Sequence, residues 1–158
     1  MIKLQWRAAP VLFLLLLFPV LAQAQNAAEL DALLETPALS VAGAARFVLG
    51  SVDLLPKGLS GPAAQKAAYD MALSKGWITG GPNDAITLEN AAFLIMSAFD
   101  VKGGLMYSLV PGPRYAYREM LYRKLIQGRA DPGMSVSGER LLRIIDKTAS
   151  YAENGGAP

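Results

Sequence analysis

Two stretches of the chain share a glycine-containing turn that leads into a Ser or Thr able to cap a helix. The first is GWITGGPNDAIT, residues 76–87, and the second is KLIQGRADPGMS, residues 124–135. They align without a gap at an offset of 48, with Gly80 over Gly128 and seven residues from that glycine to the cap in both copies. A repeated turn of this kind predicts a repeated helix–loop–helix unit.

A third, partial copy lies upstream of these two. LSVAGAARFVL, residues 39–49, aligns with ITLENAAFLIM, residues 86–96, at an offset of 47. Ser40 again stands at the capping position, but the preceding helix is short and the glycine loop is missing. The chain therefore divides into three predicted units, about 27–55, 63–100 and 114–150. The alternative is an ordinary helical bundle, because alanine-rich amphipathic helices resemble one another by chance.

Helical periodicity dominates the chain after residue 24, and long strand patterns are absent. The pattern predicts helices over Ala27–Glu35, Ser40–Leu55, Ala63–Gly76, Thr87–Asp100 and Arg114–Leu125. A sixth helix is predicted to begin at Ser135 or Ser137, and the repeat alignment selects Ser135 as its cap. Residues 101–113 are predicted to be irregular, and residues 153–158 to form a disordered tail.

Each predicted helix pair has one apolar stripe that it cannot bury alone, so three pairs packed together would share a core. Under the ungapped alignment the third unit departs from this pattern. Arg140, Arg143 and Lys147 fall where apolar residues are expected. The apolar face of that helix is predicted to be rotated to Leu141, Leu142, Ile144 and Ile145.

Residues 1–24 have the features of a secretory signal peptide. Lys3 and Arg7 precede an apolar run over 11–21, which is too short to span a bilayer core of roughly 30 Å, and Ala-Gln-Ala ends at residue 24. Cleavage there would leave a helical domain over 25–152 in the periplasm or cell envelope, with no membrane span. The alternative is an uncleaved anchor helix. The chain has no cysteine, which excludes a lipoprotein signal and disulfides.

Composition excludes several functional classes. Cleavage removes two of the 15 basic residues and none of the 13 acidic ones, and a chain with 13 of each is a poor nucleic-acid binder. No histidine or cysteine is present, so neither a metal site nor a cofactor is predicted. Asp84 and Asp131 in the two turns are candidate cation ligands, although solvated turn aspartates are the simpler interpretation. Catalysis is not predicted, since it would need two carboxylates that converge in a pocket.

The predicted units resemble the repeat of the S-layer homology domain. That repeat has an outer helix, a G-[IL]-[IV]-x-G segment, a turn-rich loop and a Ser/Thr-capped inner helix. GWITG at 76–80, KLIQG at 124–128 and the three predicted caps match it, and the resemblance covers residues 39–149. It implies an all-α fold whose three capped helices form a pseudo-threefold central bundle, and non-covalent attachment to cell-wall polysaccharide. Residues 99–133 also resemble exported spirochaete proteins.

The chain departs from that family where its inner helices begin. The family has a Thr-Arg-Ala-Glu stretch there, whose Arg contributes to binding an acidic wall glycan and whose Glu can complete a capping box. The Arg positions of this chain hold Val41, Leu88 and Val136, and the Glu positions hold Gly43, Asn90 and Gly138. The resemblance therefore implies the fold more strongly than it implies the ligand.

The best candidate binding surface is the segment 107–129, which contains four tyrosines and four arginines. Arginine pairs with carboxylates or phosphates, and tyrosine stacks on sugar rings or anchors protein interfaces. The predicted partner-binding residues are Arg114, Tyr115, Arg118, Tyr122 and Arg123, with Trp77 in the equivalent loop of the second unit. Inward-facing positions are predicted at Tyr117, Met120, Leu121 and Leu125. The alternative is a half-buried helix with core tyrosines and ion-paired arginines, and Trp77 as a core plug.

Taken together, these features predict a non-catalytic binding module of the periplasm or cell envelope, whose partner is peptidoglycan or another cell-wall glycan. The alternative is a structural component of a periplasmic assembly that docks a protein and binds no glycan. The missing Arg at the inner-helix starts favours this alternative.

Overall fold

The computed structural model describes residues 28–155. The chain divides into two compact units, residues 1–33 and 34–158. Of the first unit, residues 28–33 are described, and they are helical. The predicted signal peptide and its cleavage site lie outside the described residues, as do residues 156–158 of the predicted tail.

The described part of the chain is all-α. Helix α1 covers residues 28–34, and six further helices follow: α2 Val41–Ser51, α3 Gly61–Ser74, α4 Leu88–Ala98, α5 Leu105–Leu109, α6 Pro113–Tyr122 and α7 Gly138–Glu153. Helix α5 lies in the segment that was predicted to be irregular. No helix within residues 28–155 combines the length and apolar character needed to cross a membrane.

Helices α2, α4 and α7 each begin with a hydroxyl cap. The side-chain oxygen of Ser40 accepts a hydrogen bond from the Gly43 amide at 3.1 Å. Thr87 caps α4 in the same way. The cap of α7 is Ser137, whose Oγ lies 3.3 Å from the Arg140 amide nitrogen. The ungapped alignment, which selected Ser135, is therefore wrong by two residues. Ser135 precedes the cap and forms an isolated β-bridge with Thr87.

The residues immediately before the three caps form a closed ring of backbone hydrogen bonds. The Leu39 amide donates to the Val136 carbonyl at 2.8 Å, the Val136 amide to Ile86 at 3.2 Å, and the Ile86 amide back to Leu39 at 2.9 Å. All three side chains are buried. The ring satisfies backbone groups that burial would otherwise leave costly and unpaired.

A second set of hydrogen bonds lies one residue beyond each cap. The first amide of each of the three helices donates to a carbonyl in the segment that precedes another of them. The pairs are Val41 to Asp84, Leu88 to Met134 and Gly138 to Thr36, at 2.8, 2.9 and 3.0 Å. The first amides of a helix have no partner within the helix. Here each helix start is completed by a segment distant in sequence, so the three starts are held together.

The core lies among these three helices, each of which contacts the other two. Four residues after each cap stand Ala44, Ala91 and Leu141, all fully buried, and eight residues after it stand Val48, Ile95 and Ile145, also buried. Successive caps are thus offset by 47 and then by 50, and in this register α7 places apolar residues where α2 and α4 do. Leu141, Ile144 and Ile145 are buried as predicted, and Leu142 is partly accessible. The predicted rotation of this face relative to α2 and α4 was wrong, because it came from the two-residue error in register.

The outer helices keep the offset of 48. Helix α3 packs against α2, and α6 packs against α4. The Trp77 amide donates to Ala72, and at the equivalent place the Leu125 amide donates to Met120, both at 2.9 Å. In the loops the offset becomes 50. The hydrogen bond from the Asp84 amide to the Gly81 carbonyl corresponds there to the one from the Met134 amide to the Asp131 carbonyl, and both are 3.2 Å long. The second loop therefore contains two additional residues, Arg129 and Ala130.

Candidate functional site

Helix α6 presents an exposed stripe of three predicted binding residues. Arg114, Arg118 and Tyr122 are spaced by four residues and so lie on successive turns of one face. All three are exposed, and Tyr122 has 85% of its surface accessible. None of their side chains makes a hydrogen bond or ion pair with another residue of the described part. The stripe, hereafter the α6 stripe, therefore offers two guanidinium groups and one phenol for contact with a partner.

The opposite face of α6 belongs to the core. Ala116, Tyr117 and Met120 are buried, as is Leu125 after the helix, which confirms most of the predicted inward face. The hydroxyl of Tyr117 donates to the Ala130 carbonyl at 3.1 Å. Tyr115, one of the predicted binding residues, is half-buried at the edge of the α6 stripe.

Arg123 stands apart from the stripe because its side chain is bound within the protein. Its Nε lies 2.7 Å from Glu119 Oε1, its Nη1 2.6 Å from the Tyr151 hydroxyl, and its Nη2 2.7 Å from the Lys102 carbonyl. The side chains of Arg123 and Glu119 are each only 17% exposed, and the guanidinium carbon lies 5.0 Å from the centre of the Tyr151 ring. Arg123 therefore links α6, α7 and the segment after α4.

A cleft of about 380 Å³ adjoins this arginine. It is lined by the segment 99–102 and the end of α7, with Arg123 and Tyr151 between them. Because three donor nitrogens of Arg123 already have acceptors, a ligand in the cleft would meet a guanidinium whose hydrogen bonds are largely committed. The position of Arg123 fits a structural role better than the recognition role predicted for it.

Trp77 lies in the loop that follows α3, apart from the α6 stripe. Its ring is half-buried, and the ammonium group of Lys75 lies 4.9 Å from the ring centre. In the register of the outer helices it is equivalent to Leu125, which is buried. A large side chain at this place covers the junction between helix and loop, in agreement with the core-plug interpretation.

Sequence reasoning did not find the contacts of Arg140. From the first turn of α7, its Nη2 donates to the carbonyls of Arg129 and Gln127, and its Nη1 lies 3.1 Å from the sulfur of Met134. The Nε is buried and has no hydrogen-bond partner among the described residues. Burial lowers the pKa of Arg140, Tyr117 opposes this effect, and the positive charge of Arg143 adds to it. The signal in the sequence was the two-residue insertion, which the ungapped alignment concealed.

A basic cleft of about 220 Å³ lies beside Arg140. Arg129 and Arg143 also line it, and Glu139 is the single acidic residue among its walls. Glu139 pairs with Arg143 across one turn of α7. The walls therefore keep a positive charge beyond what Glu139 neutralises, which favours a single anionic group over a metal ion.

The inner-helix positions that carry Arg in S-layer homology domains are closed to solvent here. With Ser137 as the third cap, these positions hold Val41, Leu88 and Gly138, all of them buried. The third Glu position then holds Arg140 in place of Gly138. The charged glycan-binding Arg is therefore absent from all three helix starts, as predicted, although the residues in the third differ.

The two turn aspartates each accept a hydrogen bond from their own loop. Asp84 Oδ2 lies 2.6 Å from the Gly81 amide nitrogen, and Asp131 Oδ1 lies 2.9 Å from that of Gly133. Within residues 28–155, no group of three or more acidic, histidine or cysteine side chains is placed to hold a metal ion. These contacts are those of turn-forming aspartates.

Comparison with known proteins found no matching family model, no matching curated protein and no matching solved structure. The resemblance to the S-layer homology domain therefore stays a prediction from the sequence motifs.

Proposed function

We propose that this protein is an exported, non-catalytic binding module of the cell envelope, built from three S-layer-homology-like units around a pseudo-threefold axis. The closed ring of hydrogen bonds among Leu39, Ile86 and Val136 supports this arrangement most directly. Each of these residues precedes a capped helix, and each donates to one neighbour and accepts from the other. A relation that repeats three times and closes on itself is what three equivalent units around one axis would produce.

The ligand class follows from the chemistry of the α6 stripe. Arg114 and Arg118 supply planar donors that match carboxylate or phosphate groups, and Tyr122 supplies an exposed aromatic face for a sugar ring. The stripe contains no carboxylate, histidine or cysteine. An anionic cell-wall glycan, such as peptidoglycan with its peptide carboxylates, fits this set of groups.

The test is retention of the protein on isolated cell-wall sacculi. We expect Arg114→Ala with Arg118→Ala to weaken retention by roughly tenfold or more, since each good charged contact contributes on the order of 1 kcal/mol or more. The matched control is Arg129→Ala with Arg143→Ala, which removes the same charge at the basic cleft. Arg123 is left unchanged because its loss would disturb the fold. Equal retention of the wild type and the stripe variant would remove the α6 stripe as the glycan site.

A second candidate is a structural component of a periplasmic protein assembly. It is favoured by the burial of Val41, Leu88 and Gly138, because the family's glycan-binding Arg has no counterpart at those positions. The same stripe would then dock a protein through Tyr122 and its neighbouring arginines. Crosslinking in intact cells distinguishes the two, since a stoichiometric protein partner without retention on sacculi would select the assembly.

A further inference from the structure

The most exposed apolar surface of the described chain is on α5. Leu105, Met106, Leu109 and Val110 have 72%, 60%, 67% and 60% of their surfaces accessible. Leu105, Met106 and Leu109 lie on one side of α5 within an arc of about 100°, and Val110 caps the C-terminal end of the helix. Side chains that are each more than half exposed stand out from the surface and do not line a groove. Soluble proteins seldom expose contiguous apolar groups of this kind unless something binds there.

The other side of α5 anchors the helix to the protein. The Tyr107 ring packs edge-to-face against Phe93 with ring centres 6.4 Å apart, and the Ser108 hydroxyl donates to the Gly103 carbonyl at 3.3 Å. Helix α5 also contacts α6. Burial raises the pKa of Tyr107, the hydrogen bond with Ser97 opposes this, and Asp100 adds to it. The apolar side therefore faces outward because Tyr107 occupies the inward position.

The segment that contains α5 and α6 is rich in basic residues. Residues 101–130 contain six Lys or Arg and one acidic residue, Glu119, and Glu119 is paired with Arg123. Lys102 stands three residues before the apolar side, and Arg114 four residues after it. Lys102 pairs with Asp100, but both side chains are more than 80% exposed, and such a pair is easily exchanged for another anion.

We propose that the apolar side of α5 docks on an anionic lipid surface. Leu105, Met106, Leu109 and Val110 would enter the headgroup region, while Lys102 and Arg114 contact lipid phosphates. An apolar helix side flanked by cations is the arrangement found in interfacial helices, whose binding combines buried apolar area with attraction to anionic lipids. A fluid interface also needs no complementary pocket, which suits side chains that project from the surface. This inference does not depend on glycan binding.

The test uses the full chain with single cysteines, which the cysteine-free sequence makes possible. Met106→Cys carries an environment-sensitive dye, and Ser74→Cys, at the exposed end of α3, is the matched control. Vesicles contain either phosphatidylglycerol and phosphatidylcholine in equal parts or phosphatidylcholine alone. A dye at 106 reports on α5 itself, so binding of any other segment to the vesicle does not produce the signal.

We expect the dye at position 106 to shift to the blue on anionic vesicles and to become about threefold or more protected from iodide, as for side chains that enter the headgroup region. The dye at position 74 should not change. Leu105→Ser with Leu109→Ser should abolish the response, and Arg114→Ala should weaken it. Vesicle binding without a response at 106 would overturn the proposal. So would the same blue shift without vesicles on raising the protein concentration or adding a periplasmic extract, because it would assign α5 to a protein partner.

Discussion

The loop after α3 and the loop after α6 begin alike and end differently. Each loop begins with a residue of positive φ after the outer helix, Gly76 in the first and Lys124 in the second. Each also accepts a hydrogen bond from a tyrosine hydroxyl, from Tyr69 to the Gly80 carbonyl and from Tyr117 to the Ala130 carbonyl. From Gly80 the first loop reaches its cap in seven residues. From Gly128 the second needs nine, because Arg129 and Ala130 are inserted.

The two loops keep the same hydrogen bonds at their ends in spite of the insertion. The amides of α2 and α4 reach the carbonyls of the two loops at equivalent positions, such as Asp84 and Met134, which are related by the longer offset of 50. The inserted residues are held separately, by Tyr117 and Arg140. The residue equivalent to Arg140 is Asn90, in the first turn of α4, and its side chain is too short to do the same. The loop carbonyls that accept from the helix starts are thus equivalent in the two loops, and the two inserted residues lie outside them.

The substitutions with the greatest expected cost in stability test whether the ungapped or the observed register of α7 is correct. The ungapped alignment pairs Leu142 with the buried Leu94, whereas the structure buries Leu141 completely and leaves Leu142 partly accessible. We expect Leu141→Ala to lower the free energy of unfolding by about 2–5 kcal/mol and Leu142→Ala by clearly less. Urea unfolding of both variants measures this. A larger loss for Leu142→Ala would contradict the observed register.

The next largest effect concerns the support of the inserted residues. Arg140→Ala removes charged hydrogen bonds to the carbonyls of Arg129 and Gln127, and we expect a loss of about 1–3 kcal/mol in unfolding free energy. Arg143→Ala, which breaks an exposed pair on the same helix, is the control and should cost at most about 1 kcal/mol.

Deletion of Arg129 and Ala130 tests whether Arg140 acts through these two residues. The deletion should lower the free energy of unfolding less in an Arg140→Asn background, which imitates Asn90 of α4, than in the wild type. The expected coupling is about 1 kcal/mol or more. If the two costs simply add, then Arg140 does not act through the inserted residues.

A smaller effect distinguishes the two serines that compete to cap α7. Ser137→Ala should lower the unfolding free energy by about 0.5–2 kcal/mol, because the Arg140 amide loses its acceptor. Ser135→Ala, at an exposed position two residues earlier, should change it by no more than about 0.5 kcal/mol. Thermal unfolding followed by circular dichroism compares them. The opposite order would restore the ungapped alignment.

The smallest effect concerns the helix exits. Lys124 has φ of 58°, a left-handed conformation that costs energy for a residue with a side chain, whereas its equivalent Gly76 has φ of 68°. Lys124→Gly should therefore leave stability unchanged or raise it by up to about 1 kcal/mol, while Gly76→Ala should lower it by about 1 kcal/mol. Paired urea titrations measure the difference, and destabilisation by Lys124→Gly would mean that the lysine side chain has contacts that outweigh its strain.

Most of the helices could be predicted from the sequence, but only part of the candidate site could. The exposed α6 stripe follows from four-residue spacing alone, and so does the buried position of Met120. Arg123 caps the C-terminal end of the same helix, yet its acceptors include Tyr151, which lies 28 residues away. Periodicity on one helix cannot indicate an acceptor on another. Similarly, α5 was missed because five residues between glycines and prolines give too short a pattern to indicate a helix.

Features that depend on neighbours within about four residues could be predicted without a structure: the helical class, the hydroxyl caps of α2 and α4, and the inward face of α6. Contacts between distant segments select the serine that caps α7, the place of the two inserted residues, and Arg123 as the arginine that is bound internally. The ring joins Leu39, Ile86 and Val136, which lie on three segments far apart in the sequence. Hydrogen bonds between segments so distant in sequence select one register among several that local preferences allow.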